Sequence, residues 1–143
     1  MTPSEESHKE ANGITVMVVD DDIHIRQLLT FRLMQEGYTV ASHPNGKEAL
    51  HALLESPESQ LPAIILLDLR MPEMTGWKFR KRQKKHPKIS HIPIVVITTE
   101  STFQGDLASI DASGFFKKPI QMDLLIRTIN EHCLNTENSP KVA

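Results

Sequence analysis

The sequence alternates between short apolar runs and longer segments whose apolar residues have helical spacing. Runs at Ile14–Val19, Ile64–Leu67 and Ile94–Ile97 predict buried strands, and shorter candidates lie at Tyr38–Ala41 and Phe115-Phe116. Five strand–helix units in about 120 residues predict an α/β fold in which a parallel sheet carries helices on both faces. This alternation excludes all-helical and all-strand architectures.

The segments between these runs predict the helices. One helix ends at Gly37, one follows Asn45-Gly46, one begins near Gly76, a short one spans Phe103–Ile110, and the last is opened by Pro119. We expect the buried side of the last helix to consist of Leu124, Leu125, Ile126 and Ile129. The polar ends predict a disordered tail at residues 1–13, a domain at 14–133 and a flexible tail at 134–143.

The composition of the chain excludes several classes of function. The chain has 143 residues, a formal net charge of −2 and a hydrophobic fraction of 39%, which indicate one ordinary globular domain. A charge this close to neutral does not point to nucleic acid or to an anionic membrane surface. No apolar run approaches the ~20 residues of a membrane span, and the first residues do not resemble a secretory signal. Cys133 is the only cysteine, so a reducing cytoplasm is expected.

Polar residues follow four of the predicted strands. Asp20-Asp21-Asp22 comes after the first, Asp68 after the third, Thr98-Thr99 after the fourth, and Lys118-Pro119 after the fifth. Ligands of parallel α/β sheets bind outside the carboxyl ends of the strands, so these side chains should converge. Clustered carboxylates repel one another unless a cation is bound, and Mg²⁺ prefers such hard oxygen ligands. The pattern predicts a Mg²⁺ site.

Each of these residues also has an ordinary structural explanation. Asp22 is expected to cap the helix that follows it, and capping explains one acid better than three. Asp68 fits a loop acid that caps a turn, Thr98 a β-branched strand residue, and Lys118 a solvated surface lysine. Taken singly, Thr98 and Lys118 fit those explanations better. Their common placement at strand ends favours a functional site.

The motifs together resemble those of the response-regulator receiver domain, over about residues 14–133. The stretches that carry the resemblance are Val18–Asp22, Asn45–Leu50, Leu66–Pro72, Gly76-Trp77, Ile97-Thr98 and Phe116–Pro119. The resemblance implies a doubly wound, five-stranded parallel sheet of flavodoxin-like order 2-1-3-4-5. It also implies a stand-alone, chemotaxis-regulator-like phospho-acceptor in a two-component His-to-Asp phosphorelay, located in the cytoplasm.

The resemblance also implies roles at the acidic site. Asp68 aligns with the phosphorylated aspartate. Asp20, Asp21, Asp68 and the backbone carbonyl of Arg70 align with the groups that hold Mg²⁺. The implied chemistry is self-catalysed phosphotransfer and autodephosphorylation, with no enzymatic action on other molecules.

Further implied roles concern the phosphoryl group and the response to it. Thr98 and Lys118 align with the side chains that contact the phosphoryl group, and Thr98 and Phe115 with the pair that switches on phosphorylation. The Lys118-Pro119 bond aligns with one that is usually cis. The implied partners are a sensor histidine kinase or His-phosphotransfer protein and a downstream protein target, without direct nucleic-acid binding or membrane insertion.

The predicted third helix departs from the family pattern because it is strongly basic. Seven of the 16 Lys and Arg residues fall within eleven positions: Lys78, Arg80, Lys81, Arg82, Lys84, Lys85 and Lys88. Arg80 and Gln83 stand where the family usually buries aliphatic residues, which predicts a weaker hold on the core. Such a run is ordinarily a solvated face, and a contact surface for an acidic partner is the alternative. The interval from Thr98 to Lys118 is also shorter than is usual, which predicts a shortened helix or loop there.

Three other interpretations stay open at this point. The domain could be a docking module that works without phosphorylation, although every expected site residue is present. It could be a small magnesium-dependent phosphatase, although about 120 ordered residues leave no room for a substrate cap. It could also be a fragment of a longer protein.

Overall fold

The computed structural model describes residues 12–99 and 107–134, and its centre is a five-stranded parallel sheet. The strand order β2-β1-β3-β4-β5 confirms the predicted topology. The strands are β1 (Thr15–Val19), β2 (Thr39–His43), β3 (Ile64–Leu67), β4 (Ile94–Thr98) and β5 (Gly114–Lys117). The β-branched runs form the central strands, since those positions are covered on both faces.

Four α-helices cover the two faces of the sheet within the described residues. They are α1 (Ile23–Gln35), α2 (Gly46–Glu55), α3 (Gly76–Lys84) and α4 (Met122–Leu134). Successive strand side chains point to opposite faces. In β1, Met17 and Val19 therefore pack with α2 and α3, whereas Val16 and Val18 pack with α1 and α4. None of the helices in the described ranges is long and apolar enough to span a bilayer.

The last helix differs from its prediction in two respects. It begins at Met122, because Pro119 belongs to the turn after β5, where the Lys118-Pro119 bond is cis. Leu124 is 44% exposed, whereas Leu125 and Ile129 are buried. One residue turns a helix by about 100°, so Leu124 faces away from the stripe that contacts the sheet.

Some predicted segments fall partly or wholly outside the described residues. Of the short helix predicted at Phe103–Ile110, the structure describes only the end, a single 3₁₀ turn at Ala108–Ile110. Residues 103–106, most of the predicted tail at 1–13 and nearly all of that at 134–143 lie outside. The proposed domain limits thus stay a prediction.

The expected weak hold of α3 on the core is wrong, because its two polar core residues bind backbone carbonyls. Arg80 is buried, and its guanidinium donates to the oxygens of Ile110 and Asp111, both at 2.9 Å. Gln83 is fully buried, accepts from Arg80 at 2.8 Å, and donates to Ile89 and Ile92 oxygens at 2.9 and 3.0 Å. Satisfied polar groups replace the aliphatic contacts.

The start of α3 lies against the loop that carries Asp68. Gly76 donates its N–H to the oxygen of Leu69 at 2.9 Å. A Cβ on Gly76 would lie 2.6 Å from a Leu69 methyl carbon and 2.7 Å from the Asp68 oxygen. Only glycine allows the helix to approach the Asp68 backbone this closely.

We therefore expect Gly76→Ala to lower the free energy of unfolding by about 1–3 kcal/mol, the usual cost of forcing extra volume into a packed site. Gly114→Ala is the matched control, because a Cβ at Gly114 meets no atom closer than 3.8 Å. Urea unfolding of both variants tests this. Equal effects of the two substitutions would contradict the steric explanation.

Candidate functional site

Four strands end at the same edge of the sheet, and each delivers one of the predicted site residues there. Asp20 follows β1, Asp68 follows β3, Thr98 is the last residue of β4, and Lys118 follows β5. The parallel register aligns these ends: Val19 pairs with Leu67, and Thr98 with Lys117. The convergence predicted from the sequence is confirmed.

The centre of the site is one ammonium group between two buried carboxylates. Lys118 Nζ lies 2.9 Å from Asp20 Oδ2 and 3.2 Å from Asp68 Oδ2. Asp20 is 2% exposed and Asp68 is 4% exposed, so little water reaches either acid. The second oxygen of each accepts a backbone N–H, from Asp22 at 2.9 Å and from Arg70 at 3.3 Å. These bonds orient both carboxylates.

A third acid completes a cluster with metal-ligand spacing. One carboxylate oxygen each from Asp20, Asp21 and Asp68 can be chosen so that all three lie within 4.8 Å of one another. Asp21 is exposed, so the cluster opens to solvent on that side. Asp22 instead caps α1, as predicted, and accepts from the N–H of His24 at 2.9 Å. One acid of the triplet is structural and two belong to the site.

The pKa values reflect an excess of negative charge. Burial, and then the charge of Asp20, raise the pKa of Asp68 from 3.8 to about 6, although Lys118 opposes the shift. Burial lowers the pKa of Lys118, but hydrogen bonds and charges from Asp20 and Asp68 outweigh it and raise the pKa overall. The lysine therefore stays charged, yet one ammonium does not compensate for both buried carboxylates.

The hydroxyl of Thr98 is buried at this edge and has no hydrogen-bond partner within the described part of the chain. Its backbone oxygen is used, since it accepts the N–H of Lys118 at 2.8 Å. An unpaired buried hydroxyl is costly, which makes this atom a candidate to bind a ligand oxygen.

Phe115 lies close to Thr98 in the sheet. It pairs in register with Val96, two residues before Thr98, so period-two alternation puts both side chains on one face of the sheet. Phe115 is 38% exposed, whereas the adjacent Phe116 packs into the core. An exposed aromatic ring near a buried hydroxyl is compatible with the predicted switch.

The sequence interpretation missed Arg26. Its guanidinium donates to the backbone oxygen of Asp20 at 2.6 Å, which ties the first turn of α1 to the acidic loop. A cation is unfavourable near the positive end of a helix, and α1 has no acid in its first turn. An unfavourably placed cation near the start of a helix could therefore have indicated from the sequence that Arg26 has a local binding partner.

The residues present fit a magnesium ion. Three carboxylates within ligand distance supply hard oxygen donors, and burial together with the charge of Asp20 raises the pKa of Asp68, a shift that a bound cation would oppose. Arg70, whose carbonyl is the fourth expected ligand, follows Asp68 by two residues, and its N–H contacts that carboxylate.

We expect Asp68→Asn to stabilise the metal-free protein more at about pH 7 than at about pH 4, by roughly 1–3 kcal/mol. The native carboxyl keeps its proton where the unfolded chain has lost it, so the parent loses stability as the pH rises through about 6. Asparagine carries no charge to bury. Urea unfolding with a chelator at both pH values measures the difference, with the exposed Asp123→Asn as control. A difference independent of pH would contradict the raised pKa.

Comparison with known proteins identifies this arrangement. A 14.6 kDa uncharacterized protein of Leptolyngbya boryana is 37% identical over 122 residues, which are 83% of this chain and 89% of that protein. The transcriptional regulatory protein GlrR of Escherichia coli (strain K12) is 31% identical over 128 residues, 87% of this chain but 27% of GlrR. The chain thus spans about a quarter of that regulator.

Solved structures agree with these sequence relatives. The chemotaxis response regulator CheY4 of Vibrio cholerae superposes with a TM-score of 0.73 at 30% identity, covering 83% of this chain and 98% of CheY4. The profile of the response regulator receiver domain matches residues 16–130, which include β1 from its second residue, the other four strands and the acidic edge. The chain therefore belongs to the response regulator receiver domain family.

Proposed function

We propose that this receiver domain is a phospho-acceptor in a two-component His-to-Asp phosphorelay and that Asp68 is the residue phosphorylated. The observation that carries the proposal is the buried pair of Asp20 and Asp68 around Lys118, at the sheet edge where the Thr98 hydroxyl has no hydrogen-bond partner among the described residues. These residues bring a nucleophile, a cation and a hydrogen-bond donor together at the carboxyl end of the sheet. Phosphoryl transfer requires positioning and charge neutralisation more than covalent chemistry, and these groups supply both.

In the proposed transfer, a carboxylate oxygen of Asp68 attacks the phosphorus of a phosphohistidine on the donor protein. The new P–O bond to Asp68 forms as the P–N bond breaks, and the electron pair leaves with the imidazole. Lys118 neutralises charge on one phosphoryl oxygen, and the Thr98 hydroxyl donates to another. Water can later attack the same phosphorus, so the domain loses its phosphoryl group by self-catalysed hydrolysis.

Mg²⁺ is the expected cofactor, and Asp20, Asp21, Asp68 and the Arg70 carbonyl would hold it. When bound, it would neutralise charge on the acids and on the phosphoryl group. Without it, Asp68 holds a proton too readily to remain a good nucleophile below about pH 6. The chain's own contribution is to keep the carboxylates oriented and nearly dry.

We propose that phosphorylation is signalled to partners by a change in the surface of the domain. A phosphoryl group on Asp68 gives the Thr98 hydroxyl an acceptor, and drawing that side chain inward frees space on its face of the sheet. Phe115, two residue pairs away on the neighbouring strand, can turn into that space. Such a local charge change biases a surface between two states that partners distinguish.

The proposed partners are a sensor histidine kinase or His-phosphotransfer protein upstream and a protein target downstream. Neither direct nucleic-acid binding nor membrane insertion is part of the proposal, and the single cysteine fits a reducing cytoplasm. The only reaction proposed is the domain's own phosphorylation and dephosphorylation. A docking module independent of phosphorylation is the alternative, and the next experiment separates the two.

Asp68→Asn should abolish phosphorylation, because the amide is not a nucleophile toward phosphorus. Incubation with acetyl phosphate and Mg²⁺, followed by intact mass spectrometry, should add one phosphoryl group to the parent and none to the variant. Asp22→Asn is the matched control, since asparagine also caps helices and Asp22 faces α1 rather than the site. Equal labelling of parent and Asp68→Asn would exclude Asp68 as the acceptor, and an unlabelled parent would favour the docking module.

Asp21→Asn should abolish the stabilisation by Mg²⁺. Binding to the native state alone stabilises by RT ln(1 + [L]/Kd), so about ten times Kd should add about 1.4 kcal/mol to the parent. Thermal unfolding with and without Mg²⁺ measures this for the parent, Asp21→Asn and the control Asp123→Asn. A full Mg²⁺ response in Asp21→Asn would show that the ligand set is wrong.

A further inference from the structure

Helix α3 carries a row of exposed cations along one side. Lys78, Lys81, Arg82 and Lys85 are all exposed, and their spacing of three, four and seven residues brings them to the same helix face over about 10 Å. We call these four residues the basic stripe. With Leu50 and His86 they line a hollow of about 400 Å³ beside α2. Lys81 and Lys85 also border a second hollow, of about 480 Å³, next to Trp77.

In the part of the chain that the structure describes, the basic stripe has no ion-pair partner, whereas the other cations of α3 have partners. Lys84 Nζ lies 3.3 Å from a carboxylate oxygen of Asp111, and Arg80 is buried among backbone oxygens. Within residues 12–99 and 107–134, no carboxylate lies within 4.0 Å of a stripe cation. Among the described residues, the stripe is therefore positive charge without an ion-pair partner, on a chain whose net charge is −2.

Folding does not require the basic stripe. The helix dipole favours cations in the last turn, which accounts for Lys81 and Arg82, but it disfavours Lys78 in the first turn. Cations three and four residues apart on a helix repel, so the stripe costs stability. Arg80 and Gln83 already hold the helix to the core from its other side.

We propose that the basic stripe is a docking surface for an acidic segment of a partner polypeptide. Glu and Asp side chains would pair with the four cations, which line the hollow beside α2. Complementary charge of this kind speeds encounter and makes binding depend on salt. The proposal does not depend on Asp68 or on phosphorylation.

The observations favour a polypeptide over nucleic acid. Four cations are fewer than the six to ten phosphate contacts that make nucleic-acid binding strong. The negative net charge repels a long polyanion beyond the stripe, whereas a short acidic segment meets only the local patch.

The test compares two double variants that lower the net charge equally. Lys81→Gln with Lys85→Gln removes the two cations shared by both hollows, and Lys47→Gln with Arg127→Gln removes two exposed cations on α2 and α4. Fluorescence anisotropy measures binding of a short labelled peptide rich in Glu with interspersed Leu. The reference ligands are the same peptide with Gln for Glu and a single-stranded DNA oligonucleotide of equal charge. Circular dichroism checks that both variants are folded.

We expect the acidic peptide to bind the parent, to bind less tightly as salt rises, and to bind the Lys81/Lys85 variant about fivefold or more weakly, as two lost ion pairs would give. The Lys47/Arg127 variant should bind almost as well as the parent. If both variants lost affinity for the peptide equally, the loss would come from the lower net charge and not from the basic stripe. Tighter binding of the DNA would assign the stripe to nucleic acid instead, and no binding of the peptide at low salt would leave it a solvated face.

Discussion

The site depends on one electrostatic arrangement: the partly buried Lys118 ammonium lies between the Asp20 and Asp68 carboxylates, which are shielded from water. The strand order makes this contact, because Lys118 reaches past β4 to acids that follow β3 and β1. One positive charge does not balance two buried acids, and burial together with the charge of Asp20 raises the pKa of Asp68. A bound divalent cation would supply the missing positive charge, which is why the proposed function includes Mg²⁺. The same imbalance that costs the free domain stability thus prepares it for its proposed reaction.

Helix α3 links the site to the rest of the surface. Its first residue, Gly76, touches the backbone at Asp68, and its inner side is anchored by Arg80 to the segment between β4 and β5. The family resemblance predicts aliphatic residues at the positions of Arg80 and Gln83. Hydrogen bonds from Arg80 and Gln83 to backbone carbonyls give this helix a directional attachment instead of an apolar one. The outer side is then free to carry the basic stripe without weakening the core.

Much of this could be predicted from the sequence because the informative residues act locally. The apolar runs defined β3 to the residue, and Asp22 identified the start of α1 through capping chemistry. The site residues were predictable because each directly follows or ends a strand. The prediction that Leu124 is buried was wrong, because an apolar residue of a helix does not have to lie on the face that packs against the core. The burial of Arg80 could not be predicted, since it depends on carbonyls of residues about 30 positions away.

The most direct measurement identifies the residue at which phosphate enters the chain, which we expect to be Asp68. After transfer from acetyl phosphate in the presence of Mg²⁺, borohydride reduction converts an aspartyl phosphate to the corresponding alcohol, which peptide mass spectrometry locates. If phosphate enters at Asp68, one residue should be reduced, and it should be Asp68, the residue directly after β3. A reduced residue at Asp20 or Asp21, or phosphate retained on a histidine, would contradict it.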